Sequence, residues 1–325
     1  MTLSVELFEA FPDGRCFLLS VEDVVPPRSI LVGFGPRRSG AALITRLLEL
    51  PGPIDLAIST APDTSHCGGL LELDRLLADE REEMLPATLS IGELWQNWLD
   101  IEHGGQGQRL VTPSSEIDPS VPPWIPRIDG GLTDVVGGKV PWRLRRALVR
   151  RRWTLPAEWD GEVSILAPPD WRSDAAVGPE RTIRTLLRLY ELHSIAVLIE
   201  TVSGRLLFSG GASPADIVAG LDELEIAAEG IDLLEVPMSG NTRWLDPAFF
   251  RRIHADHYVF PSPSTPGDAH AAEALLAARE DDDFTVWPTS DSRALDVFVE
   301  RAQQTRRTFR IESGSKRIVF GGRAP

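Results

Sequence analysis

Cysteine is scarce in this chain, with Cys16 and Cys67 as its two copies. Two cysteines do not build a disulfide framework. No apolar run approaches the roughly 18 residues that cross a bilayer, which argues against a membrane protein. The N-terminus shows no basic region followed by an apolar one, so no secretory signal is predicted. We therefore expect a protein of the cytoplasm.

Basic residues are outnumbered by acidic ones, and the formal net charge is −15. Such a charge repels polyanions, so broad electrostatic binding to DNA or RNA is disfavoured. The 325 residues, 42% hydrophobic and 25% charged, are those of an ordinary globular chain that can bury a sizeable core.

Apolar segments with strand and helix periodicity alternate along both halves of the chain, which predicts a layered α/β protein. The first half has predicted strands at 3–8, 15–20, 29–32 and 54–58 and helices at 40–50 and 68–79. A glycine- and proline-rich surface excursion is predicted at 104–140, followed by an arginine-rich helix. The second half has predicted strands at 162–167, 195–201, 205–208, 231–236, 257–260 and 284–287, helices at 180–191, 213–228, 246–253, 268–280 and 293–302, and a last hairpin at 307–320.

Residues 59–70 (STAPDTSHCGGL) join a buried strand to a helix, and this segment resembles the signature loop of the metallo-β-lactamase fold. In that loop, Thr-His-x-His-x-Asp-His-x-Gly-Gly supplies most of a two-metal site. Here Ala61 stands at the first histidine position, Asp63 at the second and Ser65 at the aspartate position, while His66 is unchanged.

Four further segments resemble the same fold, in order along the chain. Gly33 replaces the aspartate of an Asp-x-Gly strand end, and Gly211 replaces the metal-bridging carboxylate. Met238 and Ser239 replace both histidines of a Pro-His-His-Gly-Ser loop. Residues 255–260 resemble a late strand of the branch related to the competence-type hydrolase domain. The resemblance implies one four-layer αββα sandwich over residues 1–325, with an extended middle segment at about 104–153.

The residues that remain in the loop do not make a hydrolytic centre of the family's kind. A catalytic zinc needs about three protein ligands and an open position for water. The resemblance assigns Asp63 and His66 to different metals, and Gly211 offers no bridging carboxylate. A thioether and a neutral hydroxyl, at Met238 and Ser239, are poor zinc ligands. We therefore expect neither catalytic residues nor a bound metal or other cofactor.

A rebuilt site is the competing hypothesis. Asp63, His66 and Cys67 lie within five residues of one another, and His254, His257 or His270 could approach from the second half. Such a site would give a hydrolase or nuclease. A capping residue, a histidine bonded to backbone and a half-buried thiol would give the same sequence, and the emptied cleft could also bind a small molecule.

The region around residues 120–153 combines tryptophan with arginine, the residues most enriched at binding hot spots. We predict a partner-binding surface there, for a protein partner or for a second copy of the chain; a helix with solvated or ion-paired arginines is the structural alternative. The residues of this predicted surface are Trp124, Trp142, Arg143, Arg145, Arg146, Arg150, Arg151, Arg152 and Trp153.

These observations favour a catalytically inactive member of the fold that serves as a binding, scaffold or regulatory subunit. Relatives in this branch are often encoded with proteases and other parts of bacterial defence systems. The resemblance therefore implies a protease or another operon-encoded subunit as the partner and a role in defence.

Overall fold

Two β-sheets and the helices that cover them organise the chain. The computed structural model describes residues 1–8, 16–61, 68–70, 72–73, 76, 89–96, 99–103, 106–110, 143–145, 150–167, 194–237, 245–260, 267–279, 283–288, 293–304, 309–312 and 317–321. The strands are β1 Leu3–Leu7, β2 Phe17–Val21, β3 Arg28–Val32, β4 Ile54–Ser59, β5 Ile91–Gln96, β6 Leu99–His103, β7 Gln106–Leu110, β8 Arg143–Arg145, β9 Arg151–Thr154, β10 Gly161–Ala167, β11 Ala196–Thr201, β12 Gly204–Phe208, β13 Ile231–Glu235, β14 Ala255–Phe260, β15 Thr285–Pro288, β16 Arg310–Ile311 and β17 Arg317–Phe320.

The helices lie between these strands in chain order. Residues 68–70, 72–73 and 76 are also helical. Of the described helices, none is long and apolar enough to span a membrane. The labelled helices are α1 Gly40–Leu48, α2 Pro214–Glu223, α3 Pro247–Arg252, α4 Gly267–Ala278 and α5 Arg293–Gln304.

The first sheet has the strand order β17-β1-β2-β3-β4-β5-β8, and the second has β16-β15-β14-β13-β12-β11-β10-β9. Both sheets are mixed: β1, β2 and β3 pair antiparallel, whereas β3, β4, β5 and β8 run parallel. In the second sheet β9 to β12 pair antiparallel and β12 to β16 run parallel. Strands β6 and β7 form a separate antiparallel pair.

Three apolar clusters define the layers. One lies between the sheets and contains side chains of both, such as Phe17 and Phe208, whose ring centroids are 5.0 Å apart. A second packs α1 and the helical residues near Leu70 against the outer face of the first sheet. The third and largest packs α2 to α5 on the outer face of the second sheet. The order is thus helix, sheet, sheet, helix, and the predicted αββα sandwich is confirmed.

Among the described residues, the predicted strands and helices of both halves occur in the predicted order, with two exceptions. The arginine-rich helix is wrong, because residues 143–145 and 151–154 are strands β8 and β9 at the ends of the two sheets. The last hairpin is also wrong: β16 pairs with β15 in the second sheet, and β17 pairs with β1 in the first. Long-range pairing overrides local periodicity in both places.

The middle of the chain holds strands that the sequence analysis did not predict. Strand β5 joins the first sheet beside β4. The predicted surface excursion overlaps β7, which pairs with β6. The rest of that excursion and the predicted helix at 180–191 lie outside the described residues.

Candidate functional site

The carboxyl ends of three strands meet between the two halves, where the resemblance places the metal centre. Strand β4 of the first sheet ends at Ser59, and β12 and β13 of the second end at Phe208 and Glu235. Residues 59–61, 208–211 and 235 are called the strand-end site below. The amide of Ile195 donates to the carbonyl of Thr60 at 2.6 Å, which ties the two halves together at this point.

Gly210 lies at the centre of the strand-end site. Its φ of +53° is in the left-handed region, where a residue with a Cβ is strained. A Cβ at this position would stand 2.9 Å from Cβ of Thr60 and 2.7 Å from the carbonyl oxygen of Ile195. The two halves therefore touch through backbone and a threonine side chain, and they leave no room for a larger side chain at residue 210.

Two of the predicted ligand positions fall among the described residues of this site. Ala61 and Gly211 are both buried, and neither side chain carries a metal-ligating atom. Within the described part of the chain, no three His, Cys, Asp or Glu side chains are grouped as metal ligands would be. The remaining predicted positions, Asp63, Ser65, His66, Cys67, Met238 and Ser239, lie outside the described residues.

Glu235 is a site residue that the sequence analysis missed. Only 1% of it is exposed, and its Oε2 accepts the amide hydrogen of Gly210 at 3.0 Å. A buried carboxylate is costly unless it is bonded. Residue type alone did not single it out, because Asp232 is a second acid on the same strand. The carboxylate fixes the 210–211 turn from the second sheet.

Two hydroxyl groups lie at the end of β4 on the first-sheet side. Ser59 and Thr60 are each 2% exposed. Their Oγ and Oγ1 atoms have no hydrogen-bond partner among the described residues. Burying a hydroxyl without a partner costs roughly 1–3 kcal/mol. The strand-end site is thus polar on both sides, with hydroxyls on one and the Glu235 carboxylate on the other.

The three histidines considered for a rebuilt site, His254, His257 and His270, form no group of metal ligands with other described residues. His257 is aligned with Leu233 in the pairing of β13 and β14, two residues before Glu235. Its Nδ1 accepts a hydrogen bond from Nε1 of Trp287 at 3.0 Å. His254 is half-buried after α3, and His270 is exposed on α4.

Two arginines of the predicted partner-binding surface, Arg150 and Arg152, contact α2. The Arg150 side chain is 9% exposed and pairs with Glu223 at 2.5 Å. It also donates to the carbonyls of Leu166 and Asp216. Arg152 donates to the carbonyl of Leu224 at 2.6 Å. Leu224 is the C-terminal capping residue of α2. A cation at a helix C-terminus satisfies its last carbonyls and opposes its dipole, so Arg152 caps α2, whereas Arg150 contacts its first turn through Asp216 and its last residue through the Glu223 side chain.

The remaining members of that surface lie on other elements or outside the described residues. Trp153 packs on the cluster between the sheets, with its ring centroid 5.4 Å from that of Trp95. Arg143 and Arg145 lie on β8, at the end of the first sheet, and Arg151 begins β9. Trp124, Trp142 and Arg146 lie outside the described residues.

A second polar contact joins the halves at the opposite end of β4. Nε1 of Trp159 donates to Oδ2 of Asp55 at 2.7 Å, and Arg28 lies 3.2 Å from Oδ1 of the same carboxylate. Arg28 also pairs with Glu158 at 2.9 Å. Burial raises the pKa of Asp55 above its ordinary value, although Trp159 and Arg28 oppose that shift. This contact is structural, since it lies at the far end of the strand from the strand-end site.

Comparison with known proteins finds similarity among solved structures. No protein-family model matches the chain, and no curated protein sequence matches it either. Among solved structures, the chain is similar to the metallo-β-lactamase fold protein YhfI from Bacillus subtilis, with 10% identity, 99% of this chain and 100% of that chain covered, and a TM-score of 0.44.

Two further similar solved structures are a diphosphatase and a hydroxylase. A diphosphatase of the PhnP family shares 13% identity, covers 98% of this chain and 96% of its own, and gives a TM-score of 0.41. CmlA, a diiron β-hydroxylase from Streptomyces venezuelae, shares 13% identity over 97% of this chain and 53% of its own, with a TM-score of 0.41. At such identities and TM-scores the similarity assigns no activity to this chain.

Proposed function

We propose that this chain is a metallo-β-lactamase-fold protein without hydrolytic activity, which acts as a binding or regulatory subunit. The observation that carries the proposal is the composition of the strand-end site. Ala61 and Gly211 stand at ligand positions without ligating atoms, and Gly210 packs directly against Thr60. A zinc hydrolase needs about three protein ligands and room for a water molecule at this place.

The way the site is held together also supports the proposal. The Glu235 carboxylate is engaged by the Gly210 amide, and the Thr60 carbonyl by the Ile195 amide. These bonds use groups at the strand ends to join the two sheets. They lie at the position where the resemblance places the metal centre.

The first test is metal content. Protein without a His tag, purified from medium supplemented with zinc and manganese, is expected to contain less than about a tenth of an equivalent of either metal. One equivalent or more that is lost in His66→Ala would overturn the proposal. It would favour the alternative, a hydrolase or nuclease with a rebuilt site around Asp63, His66 and Cys67.

The second test concerns the partner, for which we propose an acidic protein surface that binds the arginine- and tryptophan-rich segment. The triple variant Arg143→Ala, Arg145→Ala and Arg146→Ala is compared with a control of equal charge change at Arg251, Arg293 and Arg310, which are exposed elsewhere. Affinity purification from the source cells should lose one specific protein in the first variant only. Equal retention in both variants would count against this surface.

Gel filtration with light scattering separates a second copy from a foreign partner. Self-association through the same segment predicts a dimer that dissociates in the 143/145/146 variant and persists in the control. A monomer at all concentrations leaves the foreign partner as the occupant. A defence role, with a protease as partner, is part of the proposal and is tested by identifying the captured protein.

A further inference from the structure

His257 is held between the sheets by a bond that only its neutral form can make. Its Nδ1 lies 3.0 Å from Nε1 of Trp287. An indole N–H can only donate, so Nδ1 must be the unprotonated acceptor and the ring proton must reside on Nε2. Trp287 itself is 8% exposed and belongs to the cluster between the sheets.

The other face of this histidine meets the last strand of the chain. The His257 ring stands edge-on to that of Phe320, with centroids 5.7 Å apart and an interplanar angle of 83°. Phe320 ends β17, a four-residue edge strand whose one neighbour in the first sheet is β1. His257 thus connects the second sheet to the edge strand of the first.

The charged groups around His257 act in opposite directions on its pKa. Burial lowers the pKa below 6.5 and is the larger influence, while Asp256, Asp232 on β13 and Glu312 after β16 raise it. Asp232 is already bonded by the backbone amide of Arg205.

The other elements packed against His257 contribute little further charge. On β17 the Arg317 guanidinium pairs with Glu22, which lies after β2. Strand β15 carries no charged residue.

We propose that His257 is an acid-sensitive latch that, through Phe320, holds the edge strand β17 in place. A proton added to Nδ1 would face the Trp287 N–H, so the hydrogen bond is lost and a charged ring is left partly buried between the sheets. The ring then moves out of the sheet interface, and β17 loses its contact with the second sheet. Release of β17 uncovers the edge of β1, a strand edge to which another chain could add. The latch does not depend on what the strand-end site binds.

The direction of the pKa shift of His257 determines how stability changes with pH. Because the pKa of His257 is lower in the folded chain than in the unfolded chain, its stabilising effect is complete above pH 6.5 and declines as pH falls below that value.

Hydrogen exchange of the β17 amides at about pH 7.5 and about pH 5, corrected for intrinsic rates, tests the latch. In the wild type, protection of residues 317–320 should fall roughly tenfold or more relative to β2 at the lower pH. His257→Gln keeps an acceptor for Trp287 but cannot be charged in this range, so it should retain protection at both values.

The second variant guards against loss of folding in the first. Trp287→Phe removes the donor, so protection of β17 should already be lower than in the wild type at pH 7.5 and should fall by less between the two pH values. Equal acid-induced loss in the wild type and in either variant would overturn the proposal, as would a wild type whose β17 protection is unchanged at low pH.

Discussion

Adding a single methyl group at Gly210 tests whether the two halves are in direct contact at the strand-end site. Gly210→Ala places a Cβ 2.9 Å from Cβ of Thr60 and 2.7 Å from the carbonyl oxygen of Ile195. Real Cβ atoms do not approach so closely, so either β4 or the start of β11 must move. Residue 210 must in addition keep its φ of +53°, which an alanine adopts at a cost.

The expected loss of stability in Gly210→Ala follows from these two effects. A left-handed backbone costs a residue with a Cβ about 1–2 kcal/mol. Overpacking a rigid, buried site adds about 1–3 kcal/mol. We therefore expect Gly210→Ala to lower the free energy of unfolding by about 2–5 kcal/mol, a large part of the roughly 5–15 kcal/mol that holds a typical domain together.

Urea denaturation followed by tryptophan fluorescence measures the change, provided that the m value stays constant. Gly321 supplies the matched control, because an added Cβ would meet nothing within 4 Å there. Gly321→Ala should change the free energy of unfolding by less than about 1 kcal/mol. If the two alanine variants were equally stable, the closed packing at the strand-end site, and the proposal that rests on it, would be refuted.

Three further predictions concern contacts away from that site. Trp159→Phe removes the N–H that the Asp55 carboxylate accepts and leaves a smaller aromatic ring at a fully buried position, so urea unfolding should show a loss of at least about 1–3 kcal/mol; a loss under about 0.3 kcal/mol would argue against the bond. Because the pKa of Asp55 is raised above 3.8, the stability due to this group falls as pH rises through its folded pKa. The stability of the wild type relative to Asp55→Asn should thus decrease between about pH 3 and pH 6, and an increase would contradict the sign. Arg150→Ala should destabilise the chain by about 1–3 kcal/mol and speed exchange of the α2 amides, whereas Arg152→Ala, whose side chain is 46% exposed, should cost less than about 1 kcal/mol. Thermal melts that rank them in the reverse order would contradict the greater contribution of the buried Arg150 contacts with α2.

Local sequence patterns were sufficient to predict an element where that element makes its contacts with neighbours in the chain. The hairpin of β11 and β12 was predicted from two apolar runs around a Val-Ser-Gly turn, and the strands pair as expected. Helix α2 was predicted to extend to residue 228 but ends at Glu223, because Glu225 takes a left-handed conformation at φ +54°. A non-glycine residue in that conformation is not readable from periodicity.

Local sequence patterns did not predict the structure where a strand or side chain has its partner at a distance in the sequence. Residues 150–153 look like part of an amphipathic helix, yet β9 pairs with β10, which places Trp153 between the sheets and the side chain of Arg152 at the end of α2. Glu235 looked like the polar end of a strand. Its role became visible only when Gly210, 25 residues earlier, was found to bond it.

The sequence by itself determined the layered α/β class, the order of most elements and the replacement of the family's ligands at Ala61 and Gly211, because these follow from local periodicity and from residue type. Only the tertiary structure decided which sheet each strand joins, including the return of β17 to the first sheet. It also decided that Thr60, Gly210 and Glu235 meet at one point. Such contacts depend on long-range packing of strand ends against one another, and no local pattern encodes that packing.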